Sequence, residues 1–188
     1  EACRQANAWQ DLSSGRRTAI SVNLSAKQFQ RADLVKQVEN AIGSTGLDPG
    51  LLKLEITETA LMHRAESSSS ALTRLRDLAV EVQIDDFGTG YSCLAYLKHF
   101  PVQRLKIDKS FVDGVTEDAD TAAIVEAVVR LGHSLRMQVL AEGIETGAQQ
   151  ARLQALGCDE VQGYYFGKPV PPETFAADLA ARSELMAS

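Results

Sequence analysis

The sequence predicts an α/β fold on a parallel sheet, closed as a (β/α) barrel of the TIM type. Three observations carry that prediction. Six short β-prone runs recur along the chain. Helical periodicity fills most of the gaps between them. Each of the six runs carries at least one polar residue at or near its C-terminal end.

The runs are Ala19–Leu24, Leu52–Thr57, Glu81–Phe87, Arg104–Asp108, Gln138–Glu142 and Glu160–Tyr164. They start roughly 20 to 35 residues apart, which is the spacing of βα units. Between the first two, Leu34, Val38, Ala41 and Ile42 form a helical stripe, with Gly43 as its expected stop. Leu72, Leu75 and Leu78 form the next. Ile124, Ala127, Val128, Leu131 and Leu135 form the longest. Leu153 and Leu156 precede Gly157, a suitable residue just past a helix end. Pro171-Pro172-Glu173 opens a last short helix, where proline is tolerated in the first turn.

Strands alternating with helices require a parallel sheet. Two closures compete: a doubly wound open sheet, and an eight-unit barrel lacking two of its units. Asn23, Glu55, Asp85, Asp86, Lys106, Asp108, Glu142 and Gln162 all fall at or near strand ends. In a barrel those ends converge on one mouth. In an open sheet only those beside the topological switch point would meet. Polar ends on all six strands favour the barrel, with about six of eight strands present.

Composition narrows the function. The 188 residues, 20.4 kDa, suit one domain, or one that has lost a piece. Apolar content of 45% and charged content of 23% are those of a globular chain. A net charge of −6 argues against long nucleic acid as a partner. A small anion remains possible if something offsets the acids around it. Cys3, Cys93 and Cys158 are odd in number and widely spaced, which fits a reducing, cytoplasmic compartment. No apolar run reaches the roughly 20 residues of a membrane span, and no signal-peptide pattern is present. The chain opens at Glu1-Ala2-Cys3-Arg4 with no initiator Met, so the expectation is a piece cut from something longer.

Asp85-Asp86-Phe87-Gly88-Thr89-Gly90-Tyr91 is the most informative segment. Adjacent carboxylates repel unless a cation or proton intervenes. The segment reads as a metal-bridging pair entering a mobile loop, or as an exposed acidic turn. Glu55 lies inside an apolar strand, where an acid must be paired or metal-bound; it is a ligand or a salt-bridge partner. Asn23 offers a carbonyl oxygen to a cation or to the backbone. Lys106 and Asp108 alternate on one strand face, so Lys106 could hold a water or phosphate oxygen, or an ion pair. Glu142 is a candidate metal ligand or proton acceptor, and Glu145 suits a helix N-terminus better. Cys158, Cys93, His63, His99 and His133 show no metal-ligand spacing, and Trp9 reads as core. Hard oxygen donors meeting near a lysine suit Mg²⁺ or Mn²⁺ rather than structural zinc. Two such ions could clamp a phosphodiester and acidify a bridging water.

The order and spacing of these motifs resemble the EAL domain family, bacterial phosphodiesterases of cyclic di-GMP. The matching segments are Ser21-Val22-Asn23-Leu24-Ser25, Leu54-Glu55-Ile56-Thr57-Glu58, Asp85–Ser92, Leu105-Lys106-Ile107-Asp108, Ala141–Glu145 and Gln162-Gly163-Tyr164. The resemblance covers nearly the whole chain. It implies that Asn23, Glu55 and Asp85 bind one metal, and that Asp85 bridges to a second held with Asp86. It implies that Lys106 contacts the attacking water or the scissile phosphate, and that Glu142 acts as general base or orients the water. Glu58 would anchor the Asp86–Tyr91 loop, which in this family couples dimer contacts to metal binding. Asp108, Glu145 and Gln162 would be supporting members. The implied reaction converts cyclic di-GMP and water into linear pGpG with Mg²⁺ or Mn²⁺, two ions in all. Homodimerisation, N-terminal regulatory domains and membrane attachment of a full-length protein are further implications.

The chain departs from the family pattern at its start. The first two strands, the second bearing the Glu-Ala-Leu signature, are expected to precede residue 1; Glu1-Ala2-Cys3 falls in the following helix and is not that signature. Residues 1–188 are therefore expected to be an N-terminally incomplete EAL domain. Cys93 stands where the family usually has serine. Two other readings are a module that binds cyclic di-GMP or a protein without cutting it, and another phosphate-handling barrel enzyme.

Overall fold

A computed structural model describes residues 1–12, 17–62, 65–89 and 94–187. The strands are β1 (Ile20–Leu24), β2 (Leu52–Thr57), β3 (Glu81–Phe87), β4 (Arg104–Ile107), β5 (Gln138–Ala141) and β6 (Glu160–Val161). The helices are α1 (Ala2–Gln10), α2 (Ala26–Phe29), α3 (Leu34–Thr45), α4 (Glu58–Met62), α5 (Ala65–Asp77), α6 (Leu94–Leu97), α7 (Lys109–Gly114), α8 (Ala119–Ser134), α9 (Gly147–Ala155) and α10 (Pro172–Ala187). All strands pair in parallel, in the order β1-β2-β3-β4-β5-β6. This sequential order is the barrel arrangement; a doubly wound sheet would reverse direction at a switch point.

Alternation divides each strand into two faces. Leu54, Ile56, Val82, Ile84, Leu105, Ile107, Val139 and Ala141 are buried with Leu72 and Leu75 of α5 and Val125 and Val129 of α8. At roughly 1.5–3 kcal/mol per buried aliphatic side chain, this layer dominates folding. The opposite face carries Asn23, Glu55, Gln83, Asp85, Arg104 and Lys106. That face holds the chemistry.

Several boundaries differ from the sequence reading. Gly43 lies inside α3; the helix ends at Gly46, whose φ of +70° suits glycine. The buried face of α8 is Ala122, Val125, Val129 and Gly132, while Ile124 is 47% exposed. A side chain at Gly132 would overlap Val139, so α8 packs on β5 through its smallest residue. The last strand stops at Val161 rather than Tyr164. Gly157 follows α9 with φ +90°, and Pro172 opens α10, as the sequence suggests, but α10 runs for 16 residues rather than being short. Trp9 packs edge-on against Phe175 of α10 at 4.7 Å between ring centres. Among the described residues, no helix is long and apolar enough to cross a membrane.

Candidate active site

Lys106 is the hub. Its side chain is 3% exposed, and its ammonium lies 2.7 Å from Glu55 Oε2, 2.9 Å from Asp85 Oδ1 and 2.6 Å from Glu142 Oε1. The three carboxylates come from the ends of β2, β3 and β5. Gln162, just past β6, donates through Nε2 to Glu142 Oε1 at 2.6 Å. Four separate strand ends therefore meet on one lysine and its partners.

Local backbone explains how two neighbouring acids reach one site. Ordinary alternation would send Asp85 and Asp86 to opposite faces. The β3–β4 register slips between Ile84 and Phe87, and Asp86 takes φ +53°. This bulge re-aims the strand end. The Asp86 N–H donates to Asp85 Oδ1 at 3.1 Å. Glu58, buried at the start of α4, accepts from the Gly88 N–H at 3.3 Å through Oε2. Its other oxygen is buried without a hydrogen-bond partner among the described residues.

The charges do not balance. One ammonium serves three carboxylates. Burial lowers the Lys106 pKa, but the hydrogen bonds it donates to Glu142, Glu55 and Asp85 outweigh it and raise the group well above an ordinary lysine. The Glu142 pKa is raised by burial, against the pull of Lys106. That of Asp86 is raised by burial and then by the charge of Asp85. Excess negative charge is thus stored at the mouth.

The remaining candidates have other places. Asn23 stands across from Glu55 in the β1–β2 register, exposed, and among the described residues no hydrogen bond joins it to the cluster. Asp108 caps α7 by accepting from the Ser110 N–H at 3.0 Å, and its pKa is lowered by the Ser110 hydroxyl first. Glu145 pairs with Lys109 at 3.0 Å, and both line one cavity with Glu142 and Gln162. His133 pairs with Asp159 at 2.9 Å on the surface. Burial pushes the Cys158 thiol up to about 12, far from a reactive value. His63, Cys93 and the segment Gly90-Tyr91-Ser92 lie outside the described residues.

Two glycines hold this mouth together: Gly143, whose place after Glu142 already suggests close backbone approach in the sequence, and Gly163, which sequence reasoning missed. The Ile144 N–H donates to Gln162 O at 3.0 Å, and the Tyr165 N–H to Ile144 O at 2.9 Å. A Cβ at Gly163 would overlap the Ile144 backbone. Gly143, at φ +76°, lies under the stem of Lys109, whose Cβ would come within 2.7 Å of a side chain there. Gly163 follows Gln162 in sequence, and that adjacency is the signal that could have marked it.

A family model described as the EAL domain matches residues 1–169. The chain belongs to the EAL domain family. Among curated relatives, this EAL domain is 47% identical over 180 residues to the bifunctional diguanylate cyclase/cyclic di-GMP phosphodiesterase MucR of Pseudomonas aeruginosa, covering 96% of the chain and 26% of the relative. A solved structure described as the PaMucR phosphodiesterase in complex with c-di-GMP matches with a TM-score of 0.88 and 46% identity, covering 93% of this chain and 70% of that one. A manganese/cyclic-diGMP complex of Klebsiella pneumoniae BlrP1 matches with a TM-score of 0.79 and 30% identity, covering 89% and 42%. The EAL chain spans about a quarter of the length of the curated relatives it matches.

Among the described residues, no three His, Cys, Asp or Glu side chains are arranged around a common metal position. The carboxylates turn to the Lys106 ammonium instead. As donors they still fit a divalent ion: three hard oxygens lie within 2.9 Å of one cationic centre, and they outnumber it in charge.

Proposed function

We propose that this EAL domain hydrolyses cyclic di-GMP to linear pGpG with the help of divalent cations. The supporting observation is the convergence of Glu55, Asp85 and Glu142 from three strands on the Lys106 ammonium. Names of relatives and structural neighbours that act on or bind the same dinucleotide support the substrate class.

Asn23, Glu55, Asp85 and Asp86 would hold one or two ions of Mg²⁺ or Mn²⁺. Such an ion, when bound, supplies an acidified water and offsets the phosphodiester charge. Lys106 stays protonated at neutral pH because its carboxylate neighbours favour the charged form. It gives the mouth a fixed positive charge for the attacking water or the phosphate oxygen. Glu142 has a raised affinity for protons, so it is suited to accept one from the water. Gln162 fixes the orientation of that carboxyl through Glu142 Oε1. Glu58 ties the Gly88 backbone beneath Asp86. Two strand units upstream of residue 1, regulatory domains and a homodimer are part of the same proposal for the full-length protein.

The test is turnover of cyclic di-GMP by the full-length protein with Mg²⁺ or Mn²⁺, with pGpG identified by mass spectrometry. Asp85→Asn and Glu142→Gln should each lose most of the activity. Full activity in either removes that residue from the mechanism. Binding without turnover would turn the reading to a sensor module.

A further inference from the structure

Beneath the Lys106 hub lies a second buried ionic group that the proposed chemistry does not use. The Arg104 side chain is 4% exposed, and its guanidinium reaches three other strands. Nε donates to Glu81 Oε1 of β3 at 3.0 Å. One terminal nitrogen donates to Gln138 Oε1 of β5 at 2.8 Å. The other pairs with Glu160 of β6. Gln83 Nε2 donates to the same Glu81 oxygen at 2.8 Å, and the Lys53 ammonium stands 3.8 Å from it. A guanidinium presents its donors in a rigid planar fork. One side chain therefore sets the relative height of β3, β4, β5 and β6.

Each partner stands on the same strand face as a residue of the mouth. Glu81 lies four positions before Asp85, and Gln138 four before Glu142. Arg104 lies two before Lys106, and Glu160 two before Gln162. Even spacing along a strand keeps the face. The weakest of the four strands is β6. It spans two residues and registers with β5 through Leu140↔Glu160 and Ala141↔Val161. Yet it delivers Gln162 to Glu142.

We propose that Arg104 is a positioning residue for the hydrolysis: it fixes β6 through Glu160, β6 fixes Gln162, and Gln162 fixes the Glu142 carboxylate. This rests on the phosphodiesterase reading above for its kinetic consequence, though not for its structural one. Lysine cannot replace Arg104, because an ammonium lacks the fork that spans β3, β5 and β6 at once. Glu160 is half-exposed at the sheet edge, so it can be neutralised without burying an unpaired charge.

The test uses the full-length protein with Mn²⁺ and cyclic di-GMP. The variants are Arg104→Met, Arg104→Lys, Glu160→Gln, Gln162→Leu and the double Arg104→Met/Gln162→Leu. Arg104→Met and Glu160→Gln should lower kcat by about tenfold with KM little changed, as expected for a small misplacement of a reacting group. Arg104→Lys should not restore it. The double variant should be no slower than Gln162→Leu, since both act on one carboxylate. Amide exchange gives a readout free of activity. The Gln162 N–H, bonded to Ala141 O at 2.9 Å, and the Ile144 N–H should exchange faster in Arg104→Met and Glu160→Gln, with β2 unchanged. Multiplying kcat losses in the double variant would overturn the proposal, as would unchanged exchange at Gln162 and Ile144. Should Arg104→Met fail to fold, Glu160→Gln decides alone. If the wild type turns over no cyclic di-GMP, the phosphodiesterase reading falls, and the exchange arm still decides the brace.

Discussion

Two cations stand on the same face of β4, one alternation apart, in opposite surroundings. Arg104 and the nearby Lys53 meet two carboxylates, Glu81 and Glu160, and the Gln138 amide oxygen accepts from one terminal nitrogen of Arg104. Lys106 alone meets three carboxylates, with Asp86 close behind them. The lower layer closes its own charge, and the upper one does not. A closed layer has no electrostatic use for a further ion. The open one stores negative potential, visible as raised proton affinity at Glu142 and Asp86. Structure and chemistry are thus separated by a single step along one strand.

The sharpest way to break this comparison is Lys106→Met. It leaves three buried acids without a counter-charge, so we expect a loss of about 3–5 kcal/mol in urea denaturation and about 10²–10⁴-fold in cyclic di-GMP turnover. If Arg104→Met cost as much turnover, the two layers would not differ in kind.

Divalent ions should distinguish the layers next. At about 100-fold over its dissociation constant, Mn²⁺ should stabilise the wild type by about 2.7 kcal/mol, read by thermal melting. Asp85→Asn should lose most of that gain. Glu81→Gln should keep it, and equal loss in both would merge the layers into one site.

Gly163→Ala tests the joint between them. Its Cβ would overlap the Ile144 backbone, so unfolding should become easier by about 1–3 kcal/mol. Turnover should fall as well, because Gln162 precedes it. Wild-type stability would show that the loops have room to part.

The smallest effect concerns pH. Burial raises the Glu142 pKa, so folding favours its protonated form. That contribution is full below the ordinary Glu range, about pH 4, and is lost as pH rises through the raised folded value. Glu142→Gln is neutral throughout. Its melting temperature should equal wild type at the acid end and exceed it near neutrality. An unchanged difference across that range would remove Glu142 as a store of charge.

Much of the upper layer was legible in the chain itself. Polar residues at the ends of apolar runs stand out because burial there needs a reason, and Glu55, Asp85, Lys106, Glu142 and Gln162 do meet. The lower layer was hidden because Arg104, Gln138 and Glu160 begin their strands, where polar residues look like ordinary surface. The period-two spacing of Arg104, Lys106 and Asp108 carried the information, but only pairing with β3, β5 and β6 shows that the interior is polar at both levels. The α8 stripe misled because Ile124 and Val125 both look apolar, and a small rotation decides which is covered. Gly43 misled because glycine marks a helix end only when the backbone there turns left-handed, as Gly46 does.

The left-handed Asp86 has a practical corollary for anyone altering this domain. Asparagine shares aspartate's tolerance of that conformation, whereas valine or isoleucine would resist it. Asp86→Asn therefore removes a charge and keeps the shape, while a β-branched replacement would unbend the strand and swing its neighbour away. Variants at this position report on two different properties, and only the amide isolates the first.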